Sequence, residues 1–269
     1  MRPKRAGGFT LTELAIAFVI ISFLLASALY TLAAQTEQRN RTETLRRLDE
    51  AKELLLTFAV VNGRLPCPAR SNSAGDEVRN ASGECKNAAA LEDYYGGTLS
   101  DGTVGGLLPA TAIGFAPIDS SGFAIDAWGN RIRYAVAKNL DTGVSTCSDT
   151  ATTVHFTLTT KLKSNGITCT PRDLIVCNST QAIAAGTACN AGTAVTNRFT
   201  VVAVVFSTGK NGAFGPQGTN ETENVDGDHL FVYRTPDPST APAGEFDDLT
   251  VWVPVGLFYG RLISAGVLP

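Results

Sequence analysis

Histidine is nearly missing from this chain: its 269 residues include only His155 and His229. Neither lies in a His-Glu-x-x-His pair, and no Gly-x-Ser-x-Gly elbow is present. Gly209-Lys210-Asn211-Gly212 lacks the loop length and the Ser or Thr of a phosphate loop. These gaps argue against catalysis, and the chain is read as a non-enzyme that requires no cofactor. Charge is sparse too, at 17% of residues with a net charge of -3. There is no basic surplus of the kind that binds nucleic acid. No Cys-x-x-Cys pair occurs, and no internal repeat. Proline is absent between Pro3 and Pro66, so nothing in that stretch interrupts a helix on proline's account.

What that stretch does contain is a long apolar run. Leu14 to Ala34 is apolar apart from Ser22, Ser27 and Thr31 in the main. At about 1.5 Å per residue it matches a bilayer core of roughly 30 Å. Arg2, Lys4 and Arg5 precede it without any acid between them. Such a flank stays cytoplasmic and sends the bulk of the chain outward. A secretory signal peptide competes, with Ala26-Ser27-Ala28 as its small-x-small site. Glu13, at the head of the apolar run, counts against it, because a carboxylate there is costly without a purpose. The helical pattern also continues past that site.

Gly7-Gly8-Phe9-Thr10-Leu11-Thr12-Glu13-Leu14 resembles the processing site of type IV prepilins and type II secretion pseudopilins. The resemblance rests on a basic leader ending in Gly, then Phe, with Glu as the fifth residue after the cut. It implies that prepilin peptidase cuts between Gly8 and Phe9 and methylates the new amine on Phe9. It also implies a working role for Glu13 in assembly. An ammonium on Phe9, of the same subunit or a neighbour, would neutralise Glu13 and set axial register. The expected organisation is a leader over residues 1–8, an N-terminal helix over 9–62 with a transmembrane part over 14–34, and a periplasmic domain over 63–269. The implied fold is α+β and pilin-like: a long N-terminal α-helix packed on an antiparallel β-sheet, with disulfide-bonded loops. The implied location is the bacterial inner membrane as a single-pass protein, then a pilus or pseudopilus. The implied partners are prepilin peptidase, other pilin or pseudopilin subunits, the inner-membrane assembly platform, and membrane lipid before assembly. Many pilins carry a proline in the membrane half of this helix, and here none occurs. The alternative is a signal-anchored periplasmic binding or adhesion domain that does not polymerise.

Beyond the apolar run, Leu45, Leu48, Ala51, Leu55, Phe58 and Ala59 recur at three- and four-residue spacing, an amphipathic stripe. Glu43 and Arg47 make a favourable i,i+4 pair, whereas Asp49 and Glu53 repel. Gly63 stops the helix, and Pro66 and Pro68 prevent its return.

The six cysteines, Cys67, Cys85, Cys147, Cys169, Cys177 and Cys189, all follow the apolar run. An even count on the outward side reads as disulfides in an oxidising compartment. Short loops favour Cys67–Cys85 and Cys177–Cys189, leaving Cys147–Cys169. Ser71 to Leu99 reads as an irregular loop, and Cys147 to Cys189 as bracketing an exposed insertion.

Asp126-Ala127-Trp128-Gly129-Asn130 is a turn, followed by a strand at 131–136. This pair resembles the Asp-x-Trp-Gly-Asn turn of pseudopilins, with Trp128 expected in the core. Further strands are expected at 153–159, 173–177, 199–206, 231–233 and 249–253. His155, mid-strand, is expected at a surface or filled position. Asn224-Val225-Asp226-Gly227-Asp228 places oxygens on alternate residues around a glycine, as hard-cation loops do. Major pseudopilins hold calcium in a C-terminal loop, so Ca2+ is a possible ligand here. Asp226, Asp228 and Asp247, then Asp248 and Glu223, are the candidate ligands; a solvated acidic loop is the alternative.

Overall fold

A computed structural model describes residues 10–86, 91–138, 154–179, 189 and 192–268. The chain divides into two compact units, Met1–Thr42 and Glu43–Pro269. The helix α1 (Leu11–Asn62) contributes residues to both. It ends where Gly63 adopts a left-handed φ of 67° and its N–H donates to Ala59 O at 2.8 Å. A side chain bearing Cβ is strained in that conformation, which is why glycine marks the stop.

The second unit continues with a short pair, β1 (Gly97–Thr98) and β2 (Val104–Gly105), a helical turn α2 (Ala110–Ile113), and β3 (Arg133–Val136). Next come α3 (Thr159–Asn165), β4 (Ile175–Cys177), β5 (Val201–Ser207), α4 (Thr219–Val225), β6 (Leu230–Val232), β7 (Leu249–Pro254) and α5 (Val255–Ser264). Strands β3, β5 and β7 form one antiparallel sheet with β5 in the centre. All seven residues of β5 are buried. That explains its continuous apolar sequence, because a strand covered on both faces has no reason to alternate.

The leucine stripe of α1 packs where the spacing predicts. Leu48, Ala51 and Leu55 are fully buried, and with Ala59 they share one core with Tyr134, Val136, Val204 and Val253 of the sheet. Arg47 fixes the same face by a different route. Its Nη1 donates to Ile125 O at 3.1 Å and to Asp126 O at 2.7 Å, while Nε holds Glu43 at 2.9 Å. Asp49 and Glu53 avoid their mutual repulsion by pairing elsewhere, with Lys52 at 2.6 Å and Arg261 of α5 at 2.9 Å. Both are exposed pairs, of the kind that contributes at most about 1 kcal/mol.

Cys67 is bonded to Cys85 and Cys177 to Cys189. Cys169 is also disulfide-bonded; Cys147, its expected partner, lies outside the described residues. The Cys67–Cys85 bridge closes the first part of the irregular segment expected at 71–99, which ends in β1.

Several sequence expectations fail. Residues 154–158 form no strand, and the chain enters α3 at Thr159. The alternation there reflects packing rather than a ladder: Val154, His155, Phe156 and Thr157 are all buried, and Phe156 stacks edge-on against Phe258 at 5.8 Å. Within the supposedly exposed Cys147–Cys189 insertion, residues 154–157 and 171–177 are thus buried, whereas Lys163, Ser164, Ile167 and Thr168 are exposed. His155 takes the filled one of its two expected positions, fully buried with Nε2 3.1 Å from Tyr259 Oη, but not in a strand. Strands β4 and β6 pair in parallel with each other, apart from the main sheet. Trp128 lies at the core's margin rather than in it.

The Leu55→Ala variant of the full chain in detergent should lose about 2–5 kcal/mol of unfolding free energy in urea, as buried leucines do. A loss below about 0.5 kcal/mol, the size of an ordinary surface change, would show that the stripe is not core.

Candidate assembly and cation sites

Gly8 and Phe9 lie outside the described residues. Glu13 lies in the first turn of α1. Its Oε2 accepts the Thr10 N–H at 2.9 Å and the Thr10 hydroxyl at 2.8 Å. The Glu13 N–H returns a bond to Thr10 Oγ1 at 3.3 Å. This reciprocal arrangement is a capping box, which satisfies donors that a helix start otherwise leaves open. Sequence reasoning assigned Glu13 a partner on Phe9 and missed Thr10. The Thr-x-x-Glu spacing was the available signal.

The apolar side chains that follow are exposed. Leu11 is 87% exposed, Val19 70% and Phe23 78%. Bare apolar surface on this scale marks a contact with lipid or protein. Among the described residues no helix is long and apolar enough to cross a membrane. The span expected over 14–34 falls partly on 27–31 and 33, whose side chains lie outside those described.

The Asp126 turn ties three elements together. Asp126 is buried; its Oδ1 accepts the Trp128 and Asn130 N–H groups, and its Oδ2 accepts the Ser207 hydroxyl at 2.5 Å. Burial pushes its carboxyl above the usual range, against which these bonds act. The Ala127 N–H donates to Thr44 Oγ1 of α1 at 3.1 Å. The motif is therefore a structural joint between α1 and the end of β5.

The five candidate cation ligands do not form one site. Glu223, Asp226 and Asp228 form one group, and Asp247 and Asp248 form another with Glu221. Within each, carboxylate oxygens lie within 4.8 Å of one another. Asp226 and Asp228 each turn one oxygen back onto their own loop, to the Asp228 and Leu230 N–H groups. Burial raises Glu223 to about 7, with the charges of Asp228 and Asp226 adding to it.

The second group is more enclosed. Glu221 and Asp248 are 2% and 4% exposed. Glu221 is held by Asn211 Nδ2 and by the Gln217 and Asp247 N–H groups, and Asp248 by Asn224 Nδ2 at 2.7 Å. Asp247 Oδ2 accepts the Lys210 and Asn211 N–H groups, while its Oδ1 is buried without a hydrogen-bond partner. Burial raises Asp247 to about 7 against those donors, with Glu221 and Glu245 adding repulsion, and pushes Asp248 well up. Glu221 was not among the candidates because the acidic reading centred on 224–228 and foresaw no helix before it. That helix is α4, and Glu221 and Asn224 share its face at i,i+3 spacing.

Residues 3–29 match the family described as the prokaryotic N-terminal methylation motif. That motif is the prepilin-type signature of type IV pilins and pseudopilins. No curated protein and no solved structure is significantly similar to the chain.

The acid groups set a pH dependence. A carboxyl whose folded pKa lies above its unfolded value binds its proton more tightly in the fold. Asp247, lifted from 3.8 to about 7, therefore costs stability progressively as pH rises through that window and no more above it. Thermal unfolding in metal-free buffer should show a midpoint falling from pH 4 to 7. Asp247→Asn should flatten that fall and raise the midpoint at pH 7.5; an unchanged slope would contradict the assignment.

Proposed function

From the prepilin-type signature at residues 3–29, we propose that this chain is a structural subunit of a type IV pilus or type II secretion pseudopilus. Prepilin peptidase cuts it between Gly8 and Phe9 and methylates Phe9. The apolar part of α1, over 14–34, holds the subunit in the inner membrane with its second unit in the periplasm. The assembly platform then draws it into a filament beside other pilin or pseudopilin subunits. The exposed apolar side chains of α1 support this reading, since both lipid and a bundle of like helices would cover them. A minor subunit fits best: the second unit carries long irregular segments, which would crowd the surface of a filament built from it alone.

Glu13 has two jobs in this account. It caps its helix through Thr10, and its charge pairs with the amine on Phe9 of its own or a neighbouring subunit. The two can be separated, because glutamine serves in a capping box but carries no charge. Incorporation of Glu13→Gln and Glu13→Ala into filaments should fall sharply for both, more than about tenfold if a charge pair in a low-dielectric core is lost. Normal incorporation of Glu13→Gln would show that capping suffices and that the charge sets no register.

A divalent cation of the calcium class is proposed for the Glu221, Asp247 and Asp248 group. The buried, unpartnered Asp247 Oδ1 supports it, as does the mutual repulsion of three hard oxygen donors. Millimolar Ca2+ should raise the unfolding midpoint at pH 7.5, and Asp247→Asn should abolish the rise. If Asp226→Asn abolishes it instead, the cation belongs to the Glu223 group; no rise in the wild type removes the cation altogether.

A further inference from the structure

A cleft of about 320 Å3 opens where the start of β3 meets the turn after β5. Among its lining residues are Arg131, Arg133, Ser71, Thr208, Asn130 and Gly212, and no carboxylate lines it. Arg131 and Arg133 are alternate residues of an extended segment, so their side chains leave it on the same side. Both guanidinium groups have donors to spare. Arg131 spends Nε on Asp119 at 2.8 Å, and its guanidinium carbon lies over the Phe123 ring, 4.1 Å from the centroid. Arg133 spends Nη1 on Gly105 O at 3.2 Å. Burial pulls the Arg133 guanidinium below its ordinary pKa, as does repulsion from Arg131; Asp93 and Asp248 act the other way, and neither lines the cleft.

The polar neighbours add donors. Ser71 Oγ accepts the Val104 N–H at 3.0 Å, which leaves the hydroxyl proton to give. Asn130 Nδ2 is spent on Gly209 O. Thr208 stands beside Gly212, where an added Cβ would come within 2.1 Å of the Thr208 hydroxyl oxygen. Glycine at 212 is thus a condition for that hydroxyl's position. Two arginine forks and two hydroxyls around one opening, with no acid among them, form a wall that offers protons and few acceptors.

We propose that this cleft binds a compact oxyanion: the phosphate, sulfate or carboxylate group of a small ligand. Guanidinium forks take such groups through paired, charge-assisted hydrogen bonds, and the hydroxyls supply further donors to the remaining oxygens. The site is separate from the assembly residues at the N-terminus and does not depend on the filament reading.

The test titrates the full chain in detergent micelles with inorganic phosphate, sulfate and acetate in turn, at constant ionic strength set with chloride. Calorimetry and the amide shifts of Arg131, Arg133, Thr208 and Gly212 report binding. Saturable binding of at least one anion is expected. Arg131→Gln should weaken it about tenfold, the effect of losing a charge-assisted bond, and Thr208→Val a few-fold. Arg131→Gln also removes the ion pair with Asp119, so Thr208→Val, which leaves both arginines and their bonds in place, is the second variant. Preference for phosphate or sulfate assigns a tetrahedral group, and preference for acetate a carboxylate. The proposal is overturned if no anion saturates, or if both variants bind as the wild type does.

Discussion

The second unit depends on the burial of one face of α1. Leu48, Ala51, Leu55 and Ala59 are sealed against a sheet whose central strand, β5, is itself buried throughout. An apolar core of this kind supplies most of the free energy that offsets chain entropy, so the surrounding elements have to be arranged to keep it dry. The Asp126 turn is the clearest case. Asp126 accepts from the Trp128 and Asn130 N–H groups of its own loop, the Ser207 hydroxyl and Arg47 Nη1, while the Ala127 N–H donates to Thr44 Oγ1; together these lock the helix face to the sheet's end. The charge on Asp126 is costly where it sits, and only the density of bonds around it makes it tolerable.

The same logic explains why the two ends of the chain's chemistry look so different. At the N-terminus a single carboxylate, Glu13, has a capping role that its neighbour Thr10 completes. In the second unit several carboxylates are held close together by backbone and amide donors, with one oxygen of Asp247 left over. Nearby, Arg133 feels the charges of Asp93 and Asp248 and lines a cleft without acids of its own. Acidic and donor-rich surfaces thus adjoin through one arginine, and each is shaped by loops that β3, β5 and α4 anchor.

How much of this was legible in the sequence depended on how local the cause was. The reach of α1, its stop at Gly63, the β5 and β7 strands and the two short disulfide loops all follow from spacing within a few residues. The failures follow from contacts that spacing does not carry. Residues 154–158 alternate like a strand, yet Phe156 and His155 are placed by Phe258 and Tyr259 of α5. Helix α5 itself was unforeseen, since Gly256 and Gly260 depress helix propensity and tertiary packing of Phe258 and Leu262 overrides it. The acidic stretch hid α4, and with it the role of Glu221. In the assembly site, Gly8, Phe9 and Glu13 were legible as a motif, whereas the capping partner required the helix start to be seen.

The most direct test of the account is the intact mass and N-terminal sequence of the protein extracted from its native membrane. The account predicts a chain that begins at N-methyl-Phe9. A chain that begins at Met1 would be a plain anchor, and one that begins near Leu29 a secreted soluble domain; either would contradict assembly through a processed N-terminal helix.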